Sequence, residues 1–409
     1  MKKLLLSFGA LLLASTVNYS SAQDCSGNRY KQEIFTEYDS IMNIKYGSNY
    51  KQDGVTNEDL YMDIFLPKND NDNQRIAIVL AHGGSFIGGD KSDLYPQCRQ
   101  LAKMGYVVAT INYRLLDPSD PTIFTDVAGN FKKEVVRAIH DMKAAMRFMR
   151  KSIAESGNPY GIVDNIIISG GLSAGAIMAN HMTYMDTPAK VPSDLQAYVT
   201  DQGGLEGNSG NPGYSSTPQM VLSMCGAILD TTWLEPHDQP FYGVHTQADS
   251  TVKYLYGSPN IGIPINVPLY GDSLIYKRAV GQGIPAHYKH YPTGAHCQFG
   301  PDYFEDMVGF TYDQLCVQQT LGIKSGDSRI YLSVYPNPVK TSFTIDIPGN
   351  KWQSQVQVVD MTGRVVYRTT IPEMQNVTTI DASTFGSGIY QVRIATNDGR
   401  VAVKKIVVE

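Results

Sequence analysis

The sequence predicts an α/β architecture with a mostly parallel central sheet, followed by a small C-terminal antiparallel β-sandwich. Three patterns carry this expectation. Between residues 75 and 185, nearly continuous apolar runs, typical of strands covered on both faces, alternate with segments of helical apolar spacing. Glycine-rich turns follow several of the apolar runs, where a strand gives way to a helix or loop. Past residue 333 the apolar period changes to two, and turn residues separate the short runs.

The elements follow in order. Lys2 and Lys3, then apolar residues 4–14, then Ser20-Ser21-Ala22 have the charge, length and small-residue site of an export signal over residues 1–22, cleaved after Ala22. No later apolar window is long enough to span a bilayer as a helix, so the expected workplace is an oxidising compartment or the exterior. Residues 23–325 form the main domain. Its expected strands are Arg75–Ala81, Tyr106–Asn112, Asn165–Ser169, Pro240–His245 and Pro285–Tyr291. Expected helices are Asp93–Met104, Phe131–Lys151, where Val135, Ala138, Ile139, Met142, Ala145, Met146 and Met149 share a face, and Ser173–Met185. Residues 326–333 read as a linker. Residues 334–409 supply the sandwich, with alternation at Phe343, Ile345 and Ile347 and again at Tyr390, Val392 and Ile394.

Composition bounds the chemistry. The chain has 409 residues, 42% hydrophobic and 18% charged, which suits two or three globular domains. A net charge of −5 without a Lys/Arg block argues against nucleic acid as a partner. All 8 histidines and all 5 cysteines precede residue 334, so any histidine base belongs to the main domain. An odd cysteine count leaves at least one outside an intramolecular bridge. Cys25 and Cys316 lie where they can tie the ends of the main domain. Cys98 and Cys225 read as buried thiols on a helix and a strand, and Cys297 as a structural thiol or half of a bridge.

Ligands in open α/β sheets sit at the carboxyl ends of the strands, so the loops there matter most. Gly171-Leu172-Ser173-Ala174-Gly175 follows an apolar strand and opens a helix, which makes Ser173 an exposed hydroxyl on a tight turn. After the first strand, His82-Gly83-Gly84-Ser85-Phe86 can aim backbone N–H groups at a developing oxyanion; Gly84, Ser85 and Ala174 are the expected donors, ahead of Gly83. A serine also needs a base and an orienting acid. His296, in the loop beyond Pro285–Tyr291, and Asp249, in the loop beyond Pro240–His245, supply them in the order Ser, Asp, His. Asp272 and Asp230 are the runner-up acids. His82 and His245 read as structural, and His287 and His290 point to opposite faces of one strand, which suits neither a base nor a metal pair. Neither a cofactor nor a metal is called for.

These stretches, with Met104–Leu115 and His245–Tyr254, resemble the α/β-hydrolase family, specifically its carboxylesterase-like members with an HGG loop. The resemblance implies Ser173 as nucleophile, His296 as general acid/base, Asp249 as its orienting acid, and an ester as substrate. A serine peptidase of the same fold and a catalytically inactive surface-binding protein are the alternatives. Val334-Tyr335-Pro336-Asn337-Pro338, Val359–Arg364, Gly388-Ile389-Tyr390 and Lys404–Val408 resemble the C-terminal sorting domain of the type IX secretion system. That likeness implies the outer-membrane secretion machinery as a partner and a secreted or cell-surface location, with the sorting domain removed on release or attachment. Lys190–Pro218, rich in Gly, Ser, Asn and Pro, either borders the pocket or is a surface connection.

Overall fold

Seven consecutive buried residues, Arg75–Ala81, form the central strand, and their side chains divide by parity between two apolar cores. Ala77, Val79 and Ala81 enter one core; Ile76, Ile78 and Leu80 enter the other. Such a strand is covered on both faces, which accounts for its unbroken apolar run. The computed structural model describes residues 25, 27–263, 265–317, 333–335, 337–347, 353–361, 364–375, 377–396 and 401–409. The expected export signal, nearly all of the expected linker, and the tail residues Pro336, Thr362 and Gly363 lie outside the described residues.

Strands β1 (Tyr38–Tyr50), β2 (Asn57–Pro67), β3 (Arg75–Ala81), β4 (Val107–Ile111), β5 (Ile162–Leu172), β6 (Val221–Met224), β7 (Ala227–Ile228), β8 (Phe241–Thr246), β9 (Tyr256–Gly257), β10 (Leu269–Gly271) and β11 (Ala286–Tyr291) belong to the main domain. Eight of them make one sheet in the order β1-β2-β4-β3-β5-β6-β8-β11. From β4 to β11 all neighbours are parallel, whereas β1 and β2 add an antiparallel edge. This is the α/β-hydrolase architecture. Helices α1 (Tyr95–Lys103), α2 (Val127–Ser156), α3 (Ala174–Tyr184), α4 (Gln196–Asp201), α5 (Asp272–Gly281) and α6 (Tyr303–Tyr312) complete it. Apolar residues of α2, α3 and α5 fill one core and those of α1 and α6 the other, so helices cover both faces.

Two expected elements run longer. The Asp126 carboxylate accepts from the Gly129 N–H and starts α2, and Gly157, at φ 72°, ends it. Strand β5 extends to Leu172 because its end pairs with both β3 and β6. The β1–β2 hairpin had no sequence signal: β1 is largely exposed and lacks a clean alternation. The Gly-rich stretch 203–216 is pinned along α2 and β1. Arg147 donates to the Gly210 carbonyl, Ser209 Oγ donates to Asp141, and the Ser48 N–H donates to the Ser209 carbonyl. Of the Lys190–Pro218 stretch, no residue lines the cleft beside Ser173, whereas Pro192 and Leu195 border a separate pocket with His181 and Trp233.

Cys25 and Cys316 form a disulfide that joins the two ends of the main domain, and Cys98 is a buried free thiol. Cys225 departs from the expectation. It lies just past β6, at φ 54°, and is bonded to Cys297. Among the described residues no helix is long and apolar enough to cross a membrane. The C-terminal strands form two antiparallel sheets, of three and four strands, around Phe343, Ile345, Val358, Val392 and Ile406.

Candidate active site

Ser173 occupies the junction of β5 and α3 with φ 55° and ψ −113°, a region that side-chain-bearing residues rarely adopt. The turn admits this only because its glycines have no Cβ. A Cβ on Gly171 would lie 2.4 Å from the Gly175 carbonyl carbon, and one on Gly175 would lie 2.1 Å from the Ala81 carbonyl oxygen. The Ser173 N–H donates to the Met224 carbonyl (2.8 Å), which ties the turn to β6. Sequence spacing alone therefore delivers a hydroxyl at the carboxyl edge of the sheet.

The loop after β11 brings His296 to it. His296 Nε2 is 2.7 Å from Ser173 Oγ, and His296 Nδ1 is 2.6 Å from Asp249 Oδ2. Asp249 sits in the turn after β8, where its Oδ1 accepts the N–H groups of Thr251 and Val252. Burial pushes the Asp249 carboxyl up, but hydrogen bonds from His245 and His296 outweigh it and hold the group well below the usual carboxylate range. An ionised Asp249 accepts, so His296 carries its hydrogen on Nδ1 and offers the Nε2 lone pair to Ser173.

The His296 loop is fastened at several points. Thr246 Oγ1 donates to the Ala295 carbonyl (3.0 Å), and Gln298 exchanges hydrogen bonds with Ala295. The neighbouring Cys297 is bonded to Cys225, and its sulfur is 3.4 Å from His296 Nε2. Cys225, His296 and Cys297 together have a metal-site composition, but the two sulfurs are joined and neither is a thiolate ligand.

Gly84 and Ser85 adopt φ 110° and 60°, and Ala174 is the first residue of α3. No acceptor among the described residues takes the N–H groups of Gly84, Ser85 or Ala174. Ser85 and Ala174 line the same cleft as Ser173, and a Cβ on Gly83 would come within 3.3 Å of Ser173 Cβ. The loop thus stands directly against the serine.

The rival residues lie elsewhere. His82 Nδ1 is 2.6 Å from the Gly83 carbonyl and its ring stacks on Tyr113; burial lowers its pKa. His287 is hydrogen-bonded to Asp306, and Asp230 caps the Thr232 N–H. Asp272 contacts His245, Ser223 and Gly226. His245 has a second role that sequence reasoning missed. It bridges Asp249 and Asp272, 3.2 and 3.1 Å away. The one available hint was its position four residues before Asp249.

The fold is that of an α/β-hydrolase followed by a C-terminal β domain, and two family models match separate parts of the chain. Residues 62–208 match the BD-FAE family, and residues 333–409 match the secretion system C-terminal sorting domain. The fumonisin B1 esterase of Sphingopyxis macrogoltabida is 29% identical over 145 residues, which is 34% of this chain. The chain spans about a quarter (25%) of that curated relative's length. Among solved structures, esterase 2 of Thermogutta terrifontis phosphorylated by paraoxon is 20% identical, with 70% of this chain and 95% of that one covered and a TM-score of 0.46. Its propionate-bound form is 21% identical, with 68% and 93% covered and a TM-score of 0.46.

Proposed function

We propose that this protein is a secreted serine carboxylesterase. The observation that supports it is the unbroken run from Ser173 Oγ through His296 to Asp249, with hydrogen-bond distances of 2.7 and 2.6 Å. Ser173 Oγ attacks the ester carbonyl carbon while its proton passes to His296 Nε2. Asp249 holds the imidazole in the required tautomer and stabilises the imidazolium. The free N–H groups of Gly84, Ser85 and Ala174 receive the oxyanion, each worth about 2.7–4 kcal/mol by comparison with similar donors. The intermediate then collapses: the C–O bond to the alcohol breaks, and the alkoxide leaves with the proton from His296. Water, deprotonated by His296, attacks the acyl-enzyme, and the carboxylic acid leaves as Ser173 regains its proton.

In this reading residues 1–22 are a cleaved export signal, residues 23–325 do the chemistry, and residues 334–409 engage the outer-membrane secretion machinery. Ser173→Ala abolishes hydrolysis of p-nitrophenyl butyrate while leaving the circular dichroism spectrum and melting transition intact. Undiminished turnover by that variant overturns the assignment. Intact mass of secreted protein tests the boundaries: a species that keeps residues beyond 334 contradicts removal of the tail.

A further inference from the structure

The cleft beside Ser173 continues into a second, larger cavity, and its lining speaks to the substrate. Ser85, Phe131, Ile261 and Ile265 border both spaces. Beyond them the cavity, about 190 Å³, is walled by residues such as Ile87, Leu116, Ile123, Phe124, Val127 and Ile263. Among the described residues no charged side chain lines it. Its polar residues are Ser85 and Asn130, and the Asn130 amide already donates to the Thr122 and Ile123 carbonyls. Phe124 and Ile263 remain half-exposed.

Building on the serine-esterase reading, we infer that the substrate ester carries an uncharged apolar chain, longer than acetyl, seated in this cavity. A carboxylate entering here loses its water and meets no cationic side chain, and a sugar hydroxyl finds only Ser85 and the Asn130 side-chain carbonyl oxygen. An apolar cavity of about 150 Å³ accommodates a benzene ring, so this one holds a chain of on the order of six heavy atoms or slightly more. Two substrate series locate the chain: p-nitrophenyl esters from acetate to octanoate, and alkyl acetates from methyl to octyl. In one series kcat/KM rises roughly threefold per methylene until the cavity is full. Ile123→Trp, which fills the far end, flattens that rise. Acetate or methyl as the best member of both series overturns the inference, as does a monosuccinyl ester turned over as fast as the butyrate. Turnover that survives Ser173→Ala instead overturns the underlying reading.

A different observation carries a second inference. The buried His245 ring meets an oxygen at every contact; burial pushes the Asp272 carboxyl up, yet its Oδ1 accepts from Ser223 and its Oδ2 from the Gly226 N–H, so the oxygen facing His245 is an acceptor. Nδ1 is 3.1 Å from Asp272 Oδ2; Nε2 is 3.0 Å from the Val252 carbonyl and 3.2 Å from Asp249 Oδ2. Asp249 and Val252 reach it from the turn after β8, and Asp272 from the start of α5. Ser223 of β6 stands behind Asp272, and His290 of β11 is the register partner of His245. A neutral imidazole must aim one lone pair at an oxygen here, whereas an imidazolium satisfies every contact. The geometry points to His245 as a positioning residue for Asp249 that is charged at neutral pH, so that the relay runs Ser173–His296–Asp249–His245–Asp272. Burial opposes this charge, but Asp249 and Asp272 outweigh it and raise the His245 pKa to about 9.

The same Asp249 oxygen contacts both imidazoles, so the two rings lie roughly 6 Å apart or closer and their charges interact strongly. Removing a cation there favours protonation of His296. His245→Gln therefore moves the acid limb of the kcat/KM–pH profile upward by about one to two pH units. Nitrogen NMR of the histidine-labelled wild-type protein at neutral pH shows both His245 ring nitrogens protonated, a readout that does not depend on the variant folding. A single protonated nitrogen, or an acid limb that stays in place in an active variant, overturns the inference. The NMR result stands whether or not Ser173 is the nucleophile, which separates the two failures.

Discussion

Reduction of the Cys225–Cys297 bridge tests how His296 is held. Cys297 adjoins His296, and the bridge ties the His296 loop to the end of β6, beside β5, which leads into Ser173. Its partners are 72 residues apart, which in the chain-entropy model gives about 4 kcal/mol of stabilisation through the unfolded state. A loss of that size lowers the melting temperature by on the order of 10 °C. The functional cost is separate. Without the bridge, His296 keeps the Asp249 bond and the Thr246 and Gln298 contacts to Ala295, so its loop is loosened rather than freed. A misplacement of about 1 Å costs on the order of 100-fold in turnover. The assay compares the wild type with Cys225→Ser/Cys297→Ser, reading kcat on a p-nitrophenyl ester well below the melting temperature. Thiol counting on the denatured, unreduced wild type finds one free group, Cys98. Wild-type kcat in the double variant refutes the reasoning and assigns the loop's position to its hydrogen bonds alone. More than one thiol in the unreduced wild type refutes the premise.

Other perturbations have equally definite outcomes. Asp249→Asn lowers kcat about 10⁴-fold with little change in fold, because the amide no longer fixes the His296 tautomer; steady-state kinetics and circular dichroism check both halves. Gly175→Ala drives a methyl group into the Ala81 carbonyl and costs both stability and turnover, whereas Gly281→Ala, which meets open space at the end of α5, does not; thermal melts compare the two. His140 and His181 are buried, and burial lowers both pKa values to about 4. Each contributes stability that is present above an unfolded pKa near 6.5 and lost as pH falls through the folded value, so the melting temperature drops by on the order of 10 °C between pH 7 and pH 4. His245 has the opposite sign: its contribution, present below about 6.5, disappears as pH rises through about 9, and melts at pH 7 and pH 10 register the decline.

Much of the site was legible because the relevant signals are local. An apolar strand, a Gly-flanked serine and a helix within some twenty residues specify a turn and the hydroxyl it carries. The backbone angles of Ser173 and the absence of room for a Cβ at Gly171 and Gly175 are the physical content of that pattern. The parallel sheet was legible for a similar reason, since a strand buried on both faces, such as β3, must be apolar at every position. Asp249 and His296 could be nominated by their positions after strands. Their contact at 2.6 Å is a property of the sheet, which lays β8 beside β11 in parallel and so sets the two following loops side by side.

What folding alone decided lies in pairings between distant segments. The β1–β2 hairpin is held by partners in the sheet rather than by its own amphipathic pattern. Cys225 and Cys297 meet because β6 and β11 end at the same edge of the sheet, on either side of β8. His245 looked like an ordinary strand histidine until α5 brought Asp272 against its other nitrogen. A sequence records which side chains are available within a few residues of one another. Whether a histidine is a packed ring or a charged link between two carboxylates depends on what the tertiary fold sets against each of its nitrogens.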